Sequence, residues 1–402
     1  MKLLRTSIAF ASLFALLPAC TNDESSSGSG TTTTTQAPCE AMGDTCLAKQ
    51  SICVETAKGG ALCEPCGSGQ YATATNTCDP IPGTPMSHDF SDFTVKSGEE
   101  VKGLCQSWTL HNPTELWINA VELTQDESSH HSNWTFVPDD KFTGDDGVWN
   151  CADRNYSQLS AALVGGVIYA QSTQASHEVQ KFPNSAAVRI PPYARIIGDV
   201  HLLNTTAEDI TGHVNLSLYA LEEKDVKVKL APFHMVYTGL AIPPHASSRF
   251  AGSCDLESKF SANGSPFNMN IYFVLPHYHS LGKSFFLDVL GGPKDGERIF
   301  EVGAYDGEAH GRAYDPPYSV DGATGLSFGC DFTNPRDDEI HYGLGDQEMC
   351  EMLGFAETPV AFESDVKSAE PNGEDGTTSL FTGPCDTLAF KWDQTKPGGT
   401  GP

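Results

Sequence analysis

Ile271-Tyr272-Phe273-Val274-Leu275-Pro276-His277-Tyr278-His279-Ser280-Leu281-Gly282-Lys283 is the stretch on which the fold turns. Its first five residues are β-branched, aromatic or aliphatic and stop at a proline, the signature of a buried strand. Residues two apart on a strand share a face, so His277 and His279, at the strand's end, can serve one metal ion. A single His-x-His pair is common. An isolated pair is more often two packed or solvated histidines than a ligand set, so the rest of the chain has to carry the reading.

Strand-like runs recur on either side of this stretch: Glu115 to Leu123, Ala187 to Ile190, Ala194 to Leu203, His213 to Leu221, Val226 to Leu230 and Ser284 to Leu290. Gly, Pro and Asn punctuate them. The best amphipathic helix candidate, Tyr156 to Ala170, is mixed in character. Many short strands with few helices predict an all-β protein built of sandwiches. The region from about His88 to Trp392 is roughly three hundred residues, which suits two domains of about 150 each. The expected division is residues 85–233 and 234–394, with a flexible tail at 395–402.

The chain begins with Lys2 and Arg5, an apolar run from Ser7 to Leu17, and Leu17-Pro18-Ala19-Cys20. This reads as a signal peptide over residues 1–19. Its small residue followed by cysteine resembles the lipobox of bacterial lipoproteins, which implies cleavage before Cys20 and acylation of its thiol. The expected location is therefore the bacterial envelope, with a lipid-tethered soluble protein. No later segment approaches the ~18 uninterrupted apolar residues of a spanning helix. Residues 20–38 are Ser/Thr-rich and read as a tether. Residues 39–80 hold Cys39, Cys46, Cys53, Cys63, Cys66 and Cys78 and read as a small disulfide-rich unit, with Cys63-x-x-Cys66 as half of a zinc site the weaker reading. Their pairing is not legible from sequence, and the expected role is spacing or adhesion.

Formal charge is −28, and it becomes more negative once a signal carrying Lys2 and Arg5 is removed. So acidic a chain does not bind nucleic acid or anionic lipid by bulk electrostatics. Of 13 cysteines, Cys20 is the expected lipid site and the other 12 form an even set, as in an oxidising compartment.

Five of the 13 histidines lie in metal-like settings. His130-His131 follows the run Trp117 to Leu123 and a polar turn. His201 comes late in Gly198-Asp199-Val200-His201-Leu202. His277 and His279 form the pair already described. In addition, Met349 stands in Gln347-Glu348-Met349-Cys350. Neighbours on a regular strand face opposite ways, so His130 and His131 reach one ion only if the backbone turns there.

The order His-His, Val-His, His-x-His-x-Leu-Gly-Lys, Glu-Met-Cys resembles the type II copper, ascorbate-dependent monooxygenases, the family of peptidylglycine α-hydroxylating monooxygenase and dopamine β-monooxygenase. The resemblance covers most of His88 to Trp392 and implies two jelly-roll-like β-sandwich domains in tandem, each holding one copper. It implies His130, His131 and His201 as an all-histidine site. It also implies His277, His279 and Met349 as the mixed site where dioxygen meets a C–H bond, with ascorbate or another one-electron reductant as co-substrate. A thioether among imidazoles favours Cu(I), the state that meets dioxygen. The resemblance further implies bridges Cys105–Cys151, Cys254–Cys385 and Cys330–Cys350. It departs from the peptide-hydroxylating branch at Leu275, where that branch has an arginine for the substrate carboxylate, and at Glu351 and Leu353, where it has asparagine and tyrosine. A glycine-extended peptide is therefore not the expected substrate, and Glu351 becomes a candidate partner for a cationic amine. Two other readings stand beside this one: an envelope copper-binding lipoprotein without turnover, and a structural or adhesive surface lipoprotein.

Overall fold

In the computed structural model, residues 38–42, 45–90, 92–126, 129–171, 175–305, 310–343 and 346–392 are described. The signal, Cys20, nearly all of the tether and the expected tail lie outside them. No helix among the described residues is long and apolar enough to cross a membrane.

The protein is all-β, two jelly-roll-like sandwiches in tandem behind a disulfide-rich segment. The first sandwich comprises β1 (Thr84–Asp89), β2 (Glu100–Thr109), β3 (Leu116–Gln125), β4 (Ser129–Pro138), β5 (Gly147–Asn150), β6 (Gly166–Ala170), β7 (His177–Lys181), β8 (Ala186–Ile190), β9 (Ala194–Leu203), β10 (Val214–Leu221) and β11 (Val228–Lys229). One sheet runs β5-β2-β9-β4-β6 and the other β11-β8-β3-β10-β1, with β7 added to β3. The second sandwich comprises β12 (Ala231–Val236), β13 (Ala246–Asp255), β14 (Asn270–His277), β15 (Gly282–Leu290), β16 (Arg298–Val302), β17 (Arg312–Ser319), β18 (Gly325–Asn334), β19 (Glu351–Glu357), β20 (Val360–Asp365), β21 (Glu370–Asp375), β22 (Thr378–Pro384) and β23 (Asp386–Lys391). Its sheets run β17-β14-β19-β12-β20-β23 and β16-β15-β18-β13-β22-β21.

Strand β14 is buried on both faces, which is why it reads as a continuous apolar run. Val274 points into the core of its own sandwich. Phe273 and Leu275 instead join a core shared with the first sandwich, together with Leu353 and Phe355 of the neighbouring β19. Phe182 of the first sandwich meets Phe273 and Phe355 there, at ring-centroid distances of 6.0 and 5.0 Å. Aromatic burial of this kind makes the junction between the sandwiches a packed core rather than a hinge.

The candidate helix Tyr156 to Ala170 is cut in two. Ser157 caps a short helix, α1 (Gln158–Val164), by accepting from Ser160 N. Gly165 ends it where the backbone passes so close to Phe136 O that a Cβ would lie 1.7 Å from that oxygen. Val167-Ile168-Tyr169, β-branched and aromatic, then continues as β6.

Among the described residues there are six disulfides. Cys39–Cys53, Cys46–Cys63 and Cys66–Cys78 brace the small segment. Cys105–Cys151, Cys254–Cys385 and Cys330–Cys350 have the partners that the family resemblance implies. Because Cys63 and Cys66 are in different bridges, that motif is not half of a zinc site.

The small segment is seated on the first sandwich. The Glu122 carboxylate, 2 % exposed, accepts from Gly69 N (2.9 Å) and the Tyr219 hydroxyl (2.6 Å) and contacts His177 Nε2 at 2.9 Å. Gln50 Oε1 accepts from Val179 N, and Ile81 packs with Ala120, Val179 and Tyr219. Burial pushes the Glu122 carboxyl up, but the bonds from His177, Tyr219 and Gly69 outweigh that and hold it below the usual range.

Candidate metal centre

His277 and His279 converge. Their Nε2 atoms are 3.3 Å apart with ring planes at 84°, and the residues are 7 % and 6 % exposed. Two imidazole nitrogens bound to one ion at ~2.0–2.1 Å and a tetrahedral angle lie about 3.3 Å apart. Between them, Tyr278 points the other way, into the second-sandwich core, and its hydroxyl donates to Gly303 O at 2.6 Å. The chain then turns tightly, Gly282 N donating to His279 O. A Cβ on Gly282 would sit 2.3 Å from the Tyr278 ring, so the Leu-Gly step is a steric requirement.

The loop carrying Met349 clasps this turn. His279 Nδ1 donates to Gln347 O at 2.9 Å, which leaves the lone pair of the neutral ring on Nε2. Glu348, 1 % exposed, accepts from His279 N through Oε2 (2.9 Å) and from Leu281 N through Oε1 (2.7 Å). Burial pushes the Glu348 carboxyl up to about 7, against the pull of these two amides and that of Met349. Met349 is itself buried, and the following Cys350 is bridged to Cys330 on β18. Burial first, and the charge of His277 second, push His279 down to about 4, so its ring stays neutral above that pH.

His201 lies late in β9, 4 % exposed, with Nε2 2.8 Å from Glu100 Oε1. Glu100 in turn pairs with Lys102 at 3.0 Å. A carboxylate on Nε2 directs the neutral ring's lone pair to Nδ1, an arrangement typical of metal-bound histidine. Burial, chiefly, keeps His201 below its ordinary value despite Glu100, and His277 adds to the effect. His201 thus shares an electrostatic neighbourhood with the His277/His279 pair.

In the register of β4 and β9, His131 stands opposite His201 and Ser129 opposite Leu202, so His130 is an extra residue at a bulge. This is the backbone irregularity that two consecutive ligands require. The assignment of the His130 and His131 side chains lies outside the described side chains. Among the described residues, no three His, Cys, Asp or Glu side chains converge as a metal cluster. The pair at β14 offers two imidazoles, and a third donor from this chain would be the thioether of Met349.

Glu351 faces His277 across the β14–β19 pairing. It is already engaged: His234 Nε2 lies 3.6 Å away and the Tyr342 hydroxyl donates at 3.1 Å. His234 Nδ1 is 3.6 Å from Glu363. Burial disfavours the His234 charge, but Glu351 and Glu363 outweigh it and raise the ring to about 10. Burial raises Glu351 too, yet the His234 contact brings it down to about 2. His234, Tyr342, Glu363, Glu100 and Glu348 were not singled out as functional by sequence, although Phe233-His234-Met235 flags the junction between the sandwiches.

No family model and no curated protein matches the chain. Solved structures that match include the major capsid protein P2 of bacteriophage PM2, at a TM-score of 0.28 and 9 % identity, covering 68 % of this chain and 97 % of that one. Another is VP54 of PBCV-1 fitted into a cryo-EM reconstruction of the virophage Sputnik, at 0.23 and 8 %, covering 70 % and 96 %. Likenesses at these scores bear no weight for function.

Proposed function

We propose that this chain is an envelope-anchored copper protein that hydroxylates a C–H bond of a small organic substrate, using dioxygen and a one-electron reductant such as ascorbate. The reading is supported above all by the His277/His279 geometry, in which two buried Nε2 atoms lie at chelate spacing and one ring is fixed by Gln347 O. Two electrons and two protons balance the reaction: one oxygen atom enters the product and the other leaves as water.

Copper, when bound, supplies the dioxygen and C–H chemistry by cycling between Cu(II) and Cu(I). The protein's part is to hold and shelter it. His277 and His279 provide borderline donors and Met349 the soft one. His201, with His130 and His131, would hold a second copper, which would supply one-electron redox capacity. Leu275, buried in the shared core opposite Leu353, offers no charge to a substrate carboxylate, which argues against glycine-extended peptides. Glu351 with Glu363 exceeds the charge of His234 by one negative unit, which suits a cationic amine better than an acid.

Purified protein titrated with Cu(II) and assayed for metal content is expected to take up two ions per chain. With copper and ascorbate, oxygen uptake coupled to hydroxylation of one member of a substrate panel is expected, and it should be lost in His279→Ala. Zero copper sinks the metal reading and leaves the structural one. Two coppers without turnover across the panel select the copper-binding reading. The anchor is proposed to be acylated Cys20; a Cys20→Ala chain that still fractionates with membranes refutes it.

A further inference from the structure

We infer that the cavity where the disulfide-rich segment meets both sandwiches is a binding site for a small organic anion with a flat apolar body. It measures about 720 Å³, within the range of small-molecule sites, which favour such junctions. Tyr71 comes from the small segment, Val179 and Lys181 from β7, Phe273 from β14, Phe300 from β16 and Arg312 from β17.

Charge decides the ligand class. The chain has 52 acidic and 24 Lys/Arg residues, so either basic side chain on the wall, Lys181 or Arg312, could take a carboxylate. Among the described residues, neither Lys181 nor Arg312 has one within ion-pair distance. Each instead lies over an aromatic ring: Lys181 Nζ is 4.4 Å from the Tyr71 centroid and Arg312 Cζ 4.9 Å from that of Phe300. Of the two acids on the wall, one is paired with another arginine, and the charge of the other, Asp315, acts on Lys181 from beyond ion-pair distance. Glu301 pairs with Arg298 at 2.9 Å and Asp315 accepts from Asn184 at 3.1 Å. Lys181 is half-buried, while Arg312 is exposed. Two cations from different sandwiches, each already on an aromatic face, can clasp one carboxylate or sulfonate while the rings take the apolar body.

The site is separate from the candidate metal centre. Phe273 opens into it four residues before His277, or ~13 Å along an extended strand. The inference therefore stands whether or not copper binds.

The probe pair is 8-anilinonaphthalene-1-sulfonate and its uncharged analogue N-phenyl-1-naphthylamine, titrated into the full chain by fluorescence and calorimetry. The sulfonate is expected to bind with one-to-one stoichiometry and at least ~10-fold more tightly than the neutral analogue. Lys181→Met should weaken the sulfonate ~10-fold and leave the neutral probe unchanged. Arg312→Gln, exposed and so harmless to folding, should act in the same direction. Circular dichroism and melting curves establish that each variant is folded, and Arg312→Gln alone decides should Lys181→Met not fold. No saturable sulfonate binding, binding insensitive to the substitutions, equal affinity for the two probes, or several equivalents bound per chain would each overturn the inference.

Discussion

Replacing Glu348 by Gln tests the clasp between the Met349 loop and the His279 turn. The carboxylate uses one oxygen for His279 N and the other for Leu281 N. A glutamine keeps one oxygen but sets its amide N–H against the second donor. The lost charge-assisted bond costs about 1.5–3 kcal/mol and the orphaned amide about 1–3 more. Against this, an amide escapes the desolvation that pushes the Glu348 carboxyl up to about 7. The net is about 2 kcal/mol, or a fall in Tm of about 4–8 °C at ~2–4 °C per kcal/mol for domains of about this size. The same loosening displaces the ring of His279, and supporting residues of this kind alter metal affinity about 10–100-fold. Cu(I) affinity is to be measured by competition with a chromogenic chelator, beside a melting curve and a His279→Ala control. Wild-type affinity and Tm in Glu348→Gln, with affinity lost in His279→Ala, refute the clasp and spare the metal site. Unchanged affinity in both refutes the metal site.

Met349→Leu is nearly volume-conserving and should cost under ~1.5 kcal/mol of stability while weakening Cu(I)–carbonyl binding; His201→Ala should leave that infrared signal in place, and identical behaviour would contradict the division into two sites. His234 gains its partners on folding and its value rises to about 10. Its stabilisation is therefore whole below ~6.5, the unfolded value, and fades as pH rises through 10. Partial exposure limits the effect to about 1–2 kcal/mol, readable as the gap between wild type and His234→Phe in urea melts at pH 6 that closes by pH 10.5. Glu122→Ala strands Gly69 N, the Tyr219 hydroxyl and His177, at about 3 kcal/mol; hydrogen exchange should rise first in residues 66–80, and uniform exchange would refute the seating.

The strands were legible because their runs are long, β-branched and bounded by turn residues. β9 matches Ala194 to Leu203, and β14 extends the Ile271 to Leu275 run by one residue before and two after. The Tyr156 to Ala170 candidate is helical only over Gln158–Val164, because helical spacing cannot register the approach of Phe136 O to Gly165. Glu122, a charged residue within Trp117 to Leu123, is buried because another part of the chain lies over it. Glu348 is visible in sequence only as the neighbour of Met349. Its role depends on amides 69 and 67 residues away, a relation that no local pattern carries. At His130-His131 the period-two rule stated what was needed, and the register of β4 against β9 has the corresponding shift.

The environment of the His277/His279 pair narrows what can lie between the two rings. Nδ1 of His279 is spent on Gln347 O, so its Nε2 carries a lone pair whenever the ring is neutral, which burial ensures at any pH well above 4. Two such lone pairs at 3.3 Å repel, so either a proton on His277 Nε2 or a cation has to separate them. Three carboxylates lie around the pair, Glu100 on His201, Glu348 beneath the His279 turn and Glu351 across from His277, the last already engaged by His234. A proton alone satisfies the pair; the copper reading proposed above adds the buried Met349, whose loop is bridged to β18 through Cys350 and Cys330. On that proposal Cu(I) would take imidazole and thioether together, and the bridged loop would hold the third donor. The shared core around Phe182, Phe273 and Phe355 joins the sandwich bearing His201 to the one bearing His277 without a hinge.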